Sequence, residues 1–313
     1  MKKKKIVIAL GHDALGTTLP EQKEATKRTA KAVADFIRED YQVVITHSNG
    51  PQVGMINNAF AYASANDGKT PEMPFPEAGA MSQGYIGYHL QNGITNELNV
   101  RGIDRPVAAV LTRVVVNAKD PAFQNPTKPI GAFYTREEAE RLSASGHTTF
   151  VEDSGRGYRR VVASPLPVEI QEMPVIRQMM DSGYITIAVG GGGIPITKEH
   201  GICRGTAAVI DKDFASELLA EELDADFLII LTAVEKVAVN FGKPEEKWLD
   251  DLDTETARAY IKEGHFAPGS MLPKVQAAVK FAESKPGRTS LITLLEKAKD
   301  GIQGKTGTHI HLA

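Results

Sequence analysis

The chain has 313 residues, 42% hydrophobic and 24% charged, with a formal net charge of −3. That length exceeds what one core usually fills, so one two-lobed unit or two domains is expected, with the composition of an ordinary α/β protein. The slight negative charge gives no reason to expect nucleic acid or an acidic membrane surface as a partner, and a single cysteine, Cys203, excludes an internal disulfide.

Met1 and four lysines open the chain, but the apolar run Ile6 to Leu10 is too short for a signal sequence and ends in Gly11-His12-Asp13. It reads as a buried strand. No stretch approaches the length of a membrane span, and a reducing, cytoplasmic location is the simple expectation. A helix is predicted over Glu21 to Asp40, with Ala30, Val33, Ala34 and Ile37 on one face. Tyr41 to His47 reads as a second buried strand ending in Ser48-Asn49-Gly50. Pro51 suits the first turn of a helix running through Val53, Ile56 and Ala59. Asp67 to Pro76 reads as a loop, Ala78 to Leu98 as a helix and Val107 to Val116 as a strand region. Apolar strands joined by crossover helices indicate a parallel sheet covered on both faces.

The segment from Asn117 to Pro167 breaks that rhythm, with Pro121, Pro126, Pro129, a short helix near Arg136 to Leu142 and a ribbon pattern over Phe150 to Val162. A subdomain inserted at the sheet edge explains it better than a bare loop. The rhythm then resumes. Helices are expected over Glu172 to Ser182, Phe214 to Leu223, Thr254 to Glu263 and Leu272 to Glu283. Strands are expected over Ile185 to Val189 and Phe227 to Leu231, and near Leu291 and His309.

Three of the strands end in glycine-bearing loops: Gly11, Ser48 to Gly50, and Gly190 to Gly193. Glycine exposes backbone N–H groups with no Cβ in the way, and a following helix adds unpaired donors and a positive dipole end. Three such loops suggest phosphate held from more than one side. In Val209-Ile-Asp-Lys-Asp213, Asp213 is a credible N-cap for the next helix. Asp211 and Lys212 then lie at the carboxyl end of a strand, where ligands bind in open α/β sheets. Lys128 is fenced by Pro126 and Pro129, and Lys274 ends a turn-rich lead into a helix. Any one of these lysines alone reads as a surface charge. Together they suit phosphoryl transfer, which needs cations on the moving group, and an aspartate such as Asp211 would hold two ammonium groups in place. His309 and His311 read as an exposed strand end rather than a metal site, Cys203 shows no sign of an activated thiol, and Arg156, Arg159 and Arg160 read equally as an anion site or a solvated ribbon face.

Several long stretches carry a resemblance: Asn49-Gly-Pro-Gln-Val-Gly54, Met81-Ser-Gln-Gly84, Asn125-Pro-Thr-Lys-Pro-Ile-Gly131, Glu152-Asp-Ser-Gly-Arg-Gly157, Arg160-Val-Val-Ala-Ser-Pro165, Gly190-Gly-Gly-Gly-Ile-Pro195, Val209 to Glu217 and Gly264 to Lys274. In these the chain resembles the carbamate kinases of the amino-acid kinase superfamily, over nearly its whole length. The resemblance implies an α/β fold: an open αβα sandwich with a mainly parallel central sheet and a protruding α/β subdomain over about 117–167. It implies one domain over 1–313, with a carbamate side over about 1–184 and a nucleotide side over about 185–313, assembled as a homodimer. The implied reaction is reversible, ADP and carbamoyl phosphate giving ATP and carbamate, with Mg²⁺ arriving on the nucleotide. Carried over by motif, Lys128, Lys212 and Lys274 neutralise the transferring group and Asp211 organises the lysines. Gly190, Gly191, Gly192, Gly193, Thr232, Ala233, Val234 and Met271 line the nucleotide side. Gly11, His12, Asp13, Ser48, Asn49 and Gly50 form the substrate and phosphate loops.

Two loops depart from the family pattern. Gly-Gly-Asn becomes Gly11-His12-Asp13, and His-Gly-Asn-Gly becomes His47-Ser48-Asn49-Gly50; more mildly, Leu-Thr-x-Val-Asp becomes Leu231-Thr-Ala-Val-Glu235. If the altered backbones need positive φ, each added Cβ costs about 1 kcal/mol or more. Asp13 also places an anion near anionic substrates unless it is paired, for instance with His12. Three readings follow: a carbamate kinase, a related kinase with a different small acceptor, and a nucleotide-binding homologue that has lost catalysis.

Overall fold

The computed structural model describes residues 3–12, 15–16, 18–38, 41–144, 149–153 and 155–313; Asp13, singled out above, lies outside them. The framework is an eight-stranded sheet. Across it run Asp251–Asp253, Thr308–His311, Thr289–Leu294, Phe227–Thr232, Lys5–Leu10, Gln42–His47, Ile185–Ile187 and Val107–Ala109. Neighbours pair parallel, except that Thr289–Leu294 meets Thr308–His311 antiparallel.

The central strand Lys5–Leu10 is buried on both faces, and its side chains alternate between two cores. Ile6, Ile8 and Leu10 pack with Val33 and Phe36 of helix Leu19–Arg38 and with Ile86, Leu90 and Ile94 of helix Phe75–Val100. Val7 and Ala9 pack on the other face, with Ile176 of helix Met173–Asp181, Leu219 of helix Lys212–Glu222 and Phe281 of helix Met271–Ser284. The expected αβα sandwich is therefore present. No described helix is long and apolar enough to cross a membrane.

The strand order places the site. From Lys5–Leu10 the chain moves to its neighbour Gln42–His47 on one side, whereas Phe227–Thr232 leads to Thr289–Leu294 on the other. A crevice opens where the order reverses, beyond the carboxyl ends of the strands. Gly11 lies there and needs to be glycine: a Cβ would sit 2.6 Å from the carbonyl oxygen of Leu231.

The expected strand region Val107 to Val116 is two strands. Val107–Ala109 ends the main sheet, and Arg113–Val116 joins a second sheet with Pro167–Ile170, Ile194–Glu199 and Ile202–Gly205. The last ladder bond of the first strand runs from Val110 N–H to Ile187 O, 2.8 Å, after which the chain turns away. The inserted subdomain consists of Lys128–Tyr134, Tyr158–Val162 and Thr149–Glu152, paired antiparallel, with helix Arg136–Ala144.

Helix Lys212–Glu222 packs on helix Met271–Ser284 and buries Glu217 completely, 0% exposed. Lys280 Nζ lies 2.6 Å from Glu217 Oε2. Burial is the larger effect and, with Glu221 nearby, pushes the carboxyl up to about 7 against the pull of Lys280. The folded chain therefore holds this proton more tightly than the unfolded chain. Its contribution to stability is complete below about pH 4.5 and is lost as pH rises through 7, by on the order of 3 kcal/mol. Denaturant unfolding at pH 5 and pH 8 should show that decline in the parent chain and a much smaller one in Glu217→Gln. Equal declines in both chains would contradict the assignment.

Candidate active site

The helix start at Asp211 organises the crevice. Asp211 is extended (φ −70°, ψ 126°), and its Oδ1 accepts from the Asp213 N–H at 2.9 Å. Asp211 is thus the N-cap, not Asp213 as expected. This shifts the roles. Asp211 Oδ2 accepts from Lys128 Nζ at 2.7 Å. Asp213, in the first helical turn and 3% exposed, meets Lys274 Nζ at 2.9 Å and Lys212 Nζ at 2.9 Å. The expectation that Asp211 would hold two ammonium groups is corrected: Asp211 holds one and Asp213 holds two. The three lysines come from the first subdomain strand, the helix start and the helix Met271–Ser284.

Burial alone would raise the Asp213 carboxyl, but Lys212 and Lys274 outweigh it and hold it well below the usual carboxylate range. Desolvation lowers Lys212, with Lys274 adding to the effect and Asp213 opposing it. Lys212 Nζ is buried and lies off the hydrogen-bonding direction of Asp213, so it has no hydrogen-bond partner among the described residues. Beyond its ion pair with Asp213, this ammonium stands at a helix N-terminus, where it can meet an anion.

A cavity of about 120 Å³ opens on two of these lysines, lined by Ser48, Asn49, Gly50, Gly191, Lys128 and Lys212 among others. His12 Nδ1 donates to Gly50 O at 2.6 Å and ties the first loop to the second. The Ser48 N–H donates to Leu10 O at 3.1 Å, and the Gly50 N–H to Ser48 Oγ at 3.4 Å. Neither His12 nor Ser48 is at positive φ, so the side chains present there bring no backbone strain. His47 is buried and pushed down to about 4, first by desolvation, with Lys212 adding and its bond to the Ser48 carbonyl opposing. Nδ1 of this neutral ring donates to that carbonyl at 2.8 Å.

Glycine at 191 is required both by its φ of +66° and by space, since a Cβ would sit 2.1 Å from Asn49 Nδ2; at Gly190 it would sit 2.3 Å from His47 Nε2. Gly190 and Gly191 therefore pack against the second loop, while Gly192 meets Ile210 and Gly193 meets Val114, and Gly191 lines the lysine cavity rather than the pocket formed by Thr232, Ala233 and Val234.

That second pocket, about 170 Å³, gathers Thr232, Ala233, Val234 and Met271 with Phe241, Trp248, His265 and Phe266. Phe241 and Trp248 meet edge to face at 5.9 Å. Met271 and Lys274 are three residues apart on one helix, so one helical face joins the apolar pocket to the lysines. Sequence reasoning missed Asp213's role and the aromatic pair; the available signal was a lone tryptophan, Trp248, in a polar stretch. Of the three arginines, Arg159 lines the lysine cavity. Arg156 stacks on Phe133, and Arg160 lies over Phe75 with a bond to Asn57 at 3.4 Å. His311 pairs with Asp251 at 2.8 Å, and Cys203 contacts Gln171.

A model of the amino acid kinase family matches residues 4–292. The chain is 58% identical over 307 residues to the carbamate kinase-like protein YqeA of Escherichia coli (strain K12), covering 98% of this chain and 99% of that one. It is 52% identical over 311 residues to the carbamate kinase of Clostridium perfringens (strain 13 / Type A), with the same coverage. The carbamate kinase from Giardia lamblia, solved bound to AMP-PNP, is 41% identical and superposes with a TM-score of 0.91 over 99% of each chain.

Asp213→Asn leaves Lys212 and Lys274 buried without their shared counter-charge. Unfolding of the ligand-free chain should show a loss of about 3–5 kcal/mol; a loss under about 1 kcal/mol would mean that the two ammonium groups are not held through Asp213.

Proposed function

The chain belongs to the amino acid kinase family, among its carbamate kinases, and we propose that it moves a phosphoryl group directly between carbamoyl phosphate and ADP. The observation that carries this is the cluster of Lys128, Lys212 and Lys274 on the neighbouring carboxylates Asp211 and Asp213, with Lys128 and Lys212 lining a small cavity and Lys274 on the helix whose Met271 lines an apolar pocket. In the ATP-forming direction a terminal phosphate oxygen of ADP attacks the phosphorus. The new P–O bond forms as the bond to the carbamate oxygen breaks, and carbamate leaves with the electron pair. The attacking oxygen is already an anion, so no general base is required. The lysines neutralise charge on the equatorial oxygens. Asp211 and Asp213 keep those lysines in place.

The nucleobase takes the pocket of Thr232, Val234, Phe241, Trp248 and Met271, and the phosphates extend along the helix face towards Lys274. On this reading the nucleotide side belongs to the second half of the chain, and carbamate takes the loops at His12 and Ser48 to Gly50. Among the described residues, no group of three or more His, Cys, Asp or Glu side chains is placed to hold a metal, and Asp211 and Asp213 already hold lysines. That donor set fits a Mg²⁺ that arrives on the nucleotide, bound by phosphate oxygens and water; when bound it shields phosphate charge. The outward Met81, Tyr85 and Tyr88 of helix Phe75–Val100 suit the contact of a homodimer, and the cytoplasm suits an enzyme with one cysteine.

A second reading, an acceptor related to carbamate but not identical, is favoured by one observation: Ser48 lines the lysine cavity, at a position where the family pattern that the chain resembles has glycine.

With carbamoyl phosphate, Mg²⁺ and ADP, the parent chain should form ATP, and Lys212→Ala should lose about 10²–10³-fold in kcat. Trp248 is the chain's only tryptophan, so ADP should change its fluorescence in both chains. ADP binding without ATP formation would sink the carbamate reading. Ser48→Gly then decides between the readings. A gain in turnover shows that the hydroxyl had excluded carbamate, whereas continued silence favours another acceptor.

A further inference from the structure

The motif Met81-Ser-Gln-Gly84 has no part in the chemistry above, yet two of its side chains reach two of the loops. Ser82 and Gln83 are buried neighbours on helix Phe75–Val100. Ser82 Oγ accepts from Asn49 Nδ2 at 3.3 Å and donates to Gly79 O at 2.7 Å. Gln83, 4% exposed, spends its amide on the chain around the third loop. Nε2 donates to Gly190 O at 2.9 Å and to Thr112 O at 3.1 Å, and Oε1 accepts from the Thr112 N–H at 2.8 Å.

Thr112 lies where the chain leaves the main sheet for the second one. Its hydroxyl accepts from the Val189 N–H at 3.0 Å and donates to Val110 O at 2.8 Å. Val189 is the strained residue of this corner. It is fully buried and left-handed, φ 54° and ψ 33°. A β-branched residue there is a genuine outlier, and it persists only where its surroundings over-determine it. The Val189 turn carries the chain from strand Ile185–Ile187 into Gly190 and Gly191, which pack on His47 and Asn49 beside the lysine cavity.

We propose that Gln83 and Thr112 are positioning residues: they hold the left-handed Val189 corner so that the Gly191 backbone stays in the lysine cavity against the second loop. The consequence falls on the phosphoryl end of the site, because neither residue lines the apolar pocket. This inference rests on the reading of that cavity as the phosphoryl site.

Three variants test it. Gln83→Met keeps the volume and removes the bonds, Thr112→Val is isosteric and removes the hydroxyl, and Thr112→Ser keeps it. At a temperature where all are folded, Gln83→Met and Thr112→Val should lose about tenfold or more in kcat/KM for carbamoyl phosphate, the scale of one lost buried bond. ADP affinity, followed by Trp248 fluorescence, should stay within about twofold, and Thr112→Ser should keep most of the activity. If kcat/KM is unchanged, or if ADP affinity falls in step with it, the positioning role is wrong. If the parent chain does not turn over carbamoyl phosphate, the functional reading fails separately, and calorimetry with inorganic phosphate takes over. Binding about tenfold weaker in Gln83→Met and Thr112→Val but not in Thr112→Ser supports the role; equal binding in all four chains overturns it.

Discussion

Three ammonium groups gathered around one helix start repel one another, and burial removes much of the water that would screen them. Asp211 and Asp213 make the arrangement possible. Placed two residues apart at a helix start, they interleave negative charge among Lys128, Lys212 and Lys274. Two carboxylates against three lysines leave one net positive charge. The cluster is balanced well enough to persist and unbalanced enough to favour an incoming anion. The N-cap geometry, the depressed Asp213 and the approach of the subdomain strand all serve this one electrostatic requirement.

The glycine loops are a matter of contact distance more than of open phosphate cradles. Gly11 clears the Leu231 carbonyl, and Gly190 and Gly191 clear His47 and Asn49. Close backbone approach fixes the loops to one another before any ligand binds, as preorganised electrostatic stabilisation requires. His12 and Ser48 fit into this packing without left-handed backbone. His12 adds a cross-link to Gly50, and Ser48, which lines the cavity, accepts from the Gly50 N–H through its Oγ.

The sheet and its crossover helices were legible because long, doubly buried strands leave unbroken apolar runs and the helices keep a 3.6-residue period. The lysines stood out through their stiff, proline-rich or helix-leading settings. What escaped was set by short-range geometry. Asp213 reads as the cap in sequence, and only the turn of the chain makes Asp211 the cap and leaves Asp213 facing inward. Residues 110–112 carry no breaker strong enough to announce that the chain changes sheets there. The ribbon Val237–Val239 with Lys247–Leu249 has strands too short to show a period, so Phe241 and Trp248 gave no sign of sharing a pocket with Met271.

Each of the two main cores contains residues from both the early and the late parts of the chain: Val7 and Val44 with Leu228 and Phe281 on one face, and Ile8 and Ile45 with Ile229 and Leu291 on the other. The strand Lys5–Leu10 is hydrogen-bonded along its length to partners from both parts. The two sides of the site therefore share one mechanical body. Swinging them apart as rigid halves would tear a fully buried parallel ladder and expose both cores. Adjustment to substrate falls instead to what stands clear of that slab, namely the loops, the lysine side chains and the subdomain that carries Lys128. The distance across which the phosphoryl group travels is thus set by the sheet, much as a vice is set by its frame rather than by what it grips.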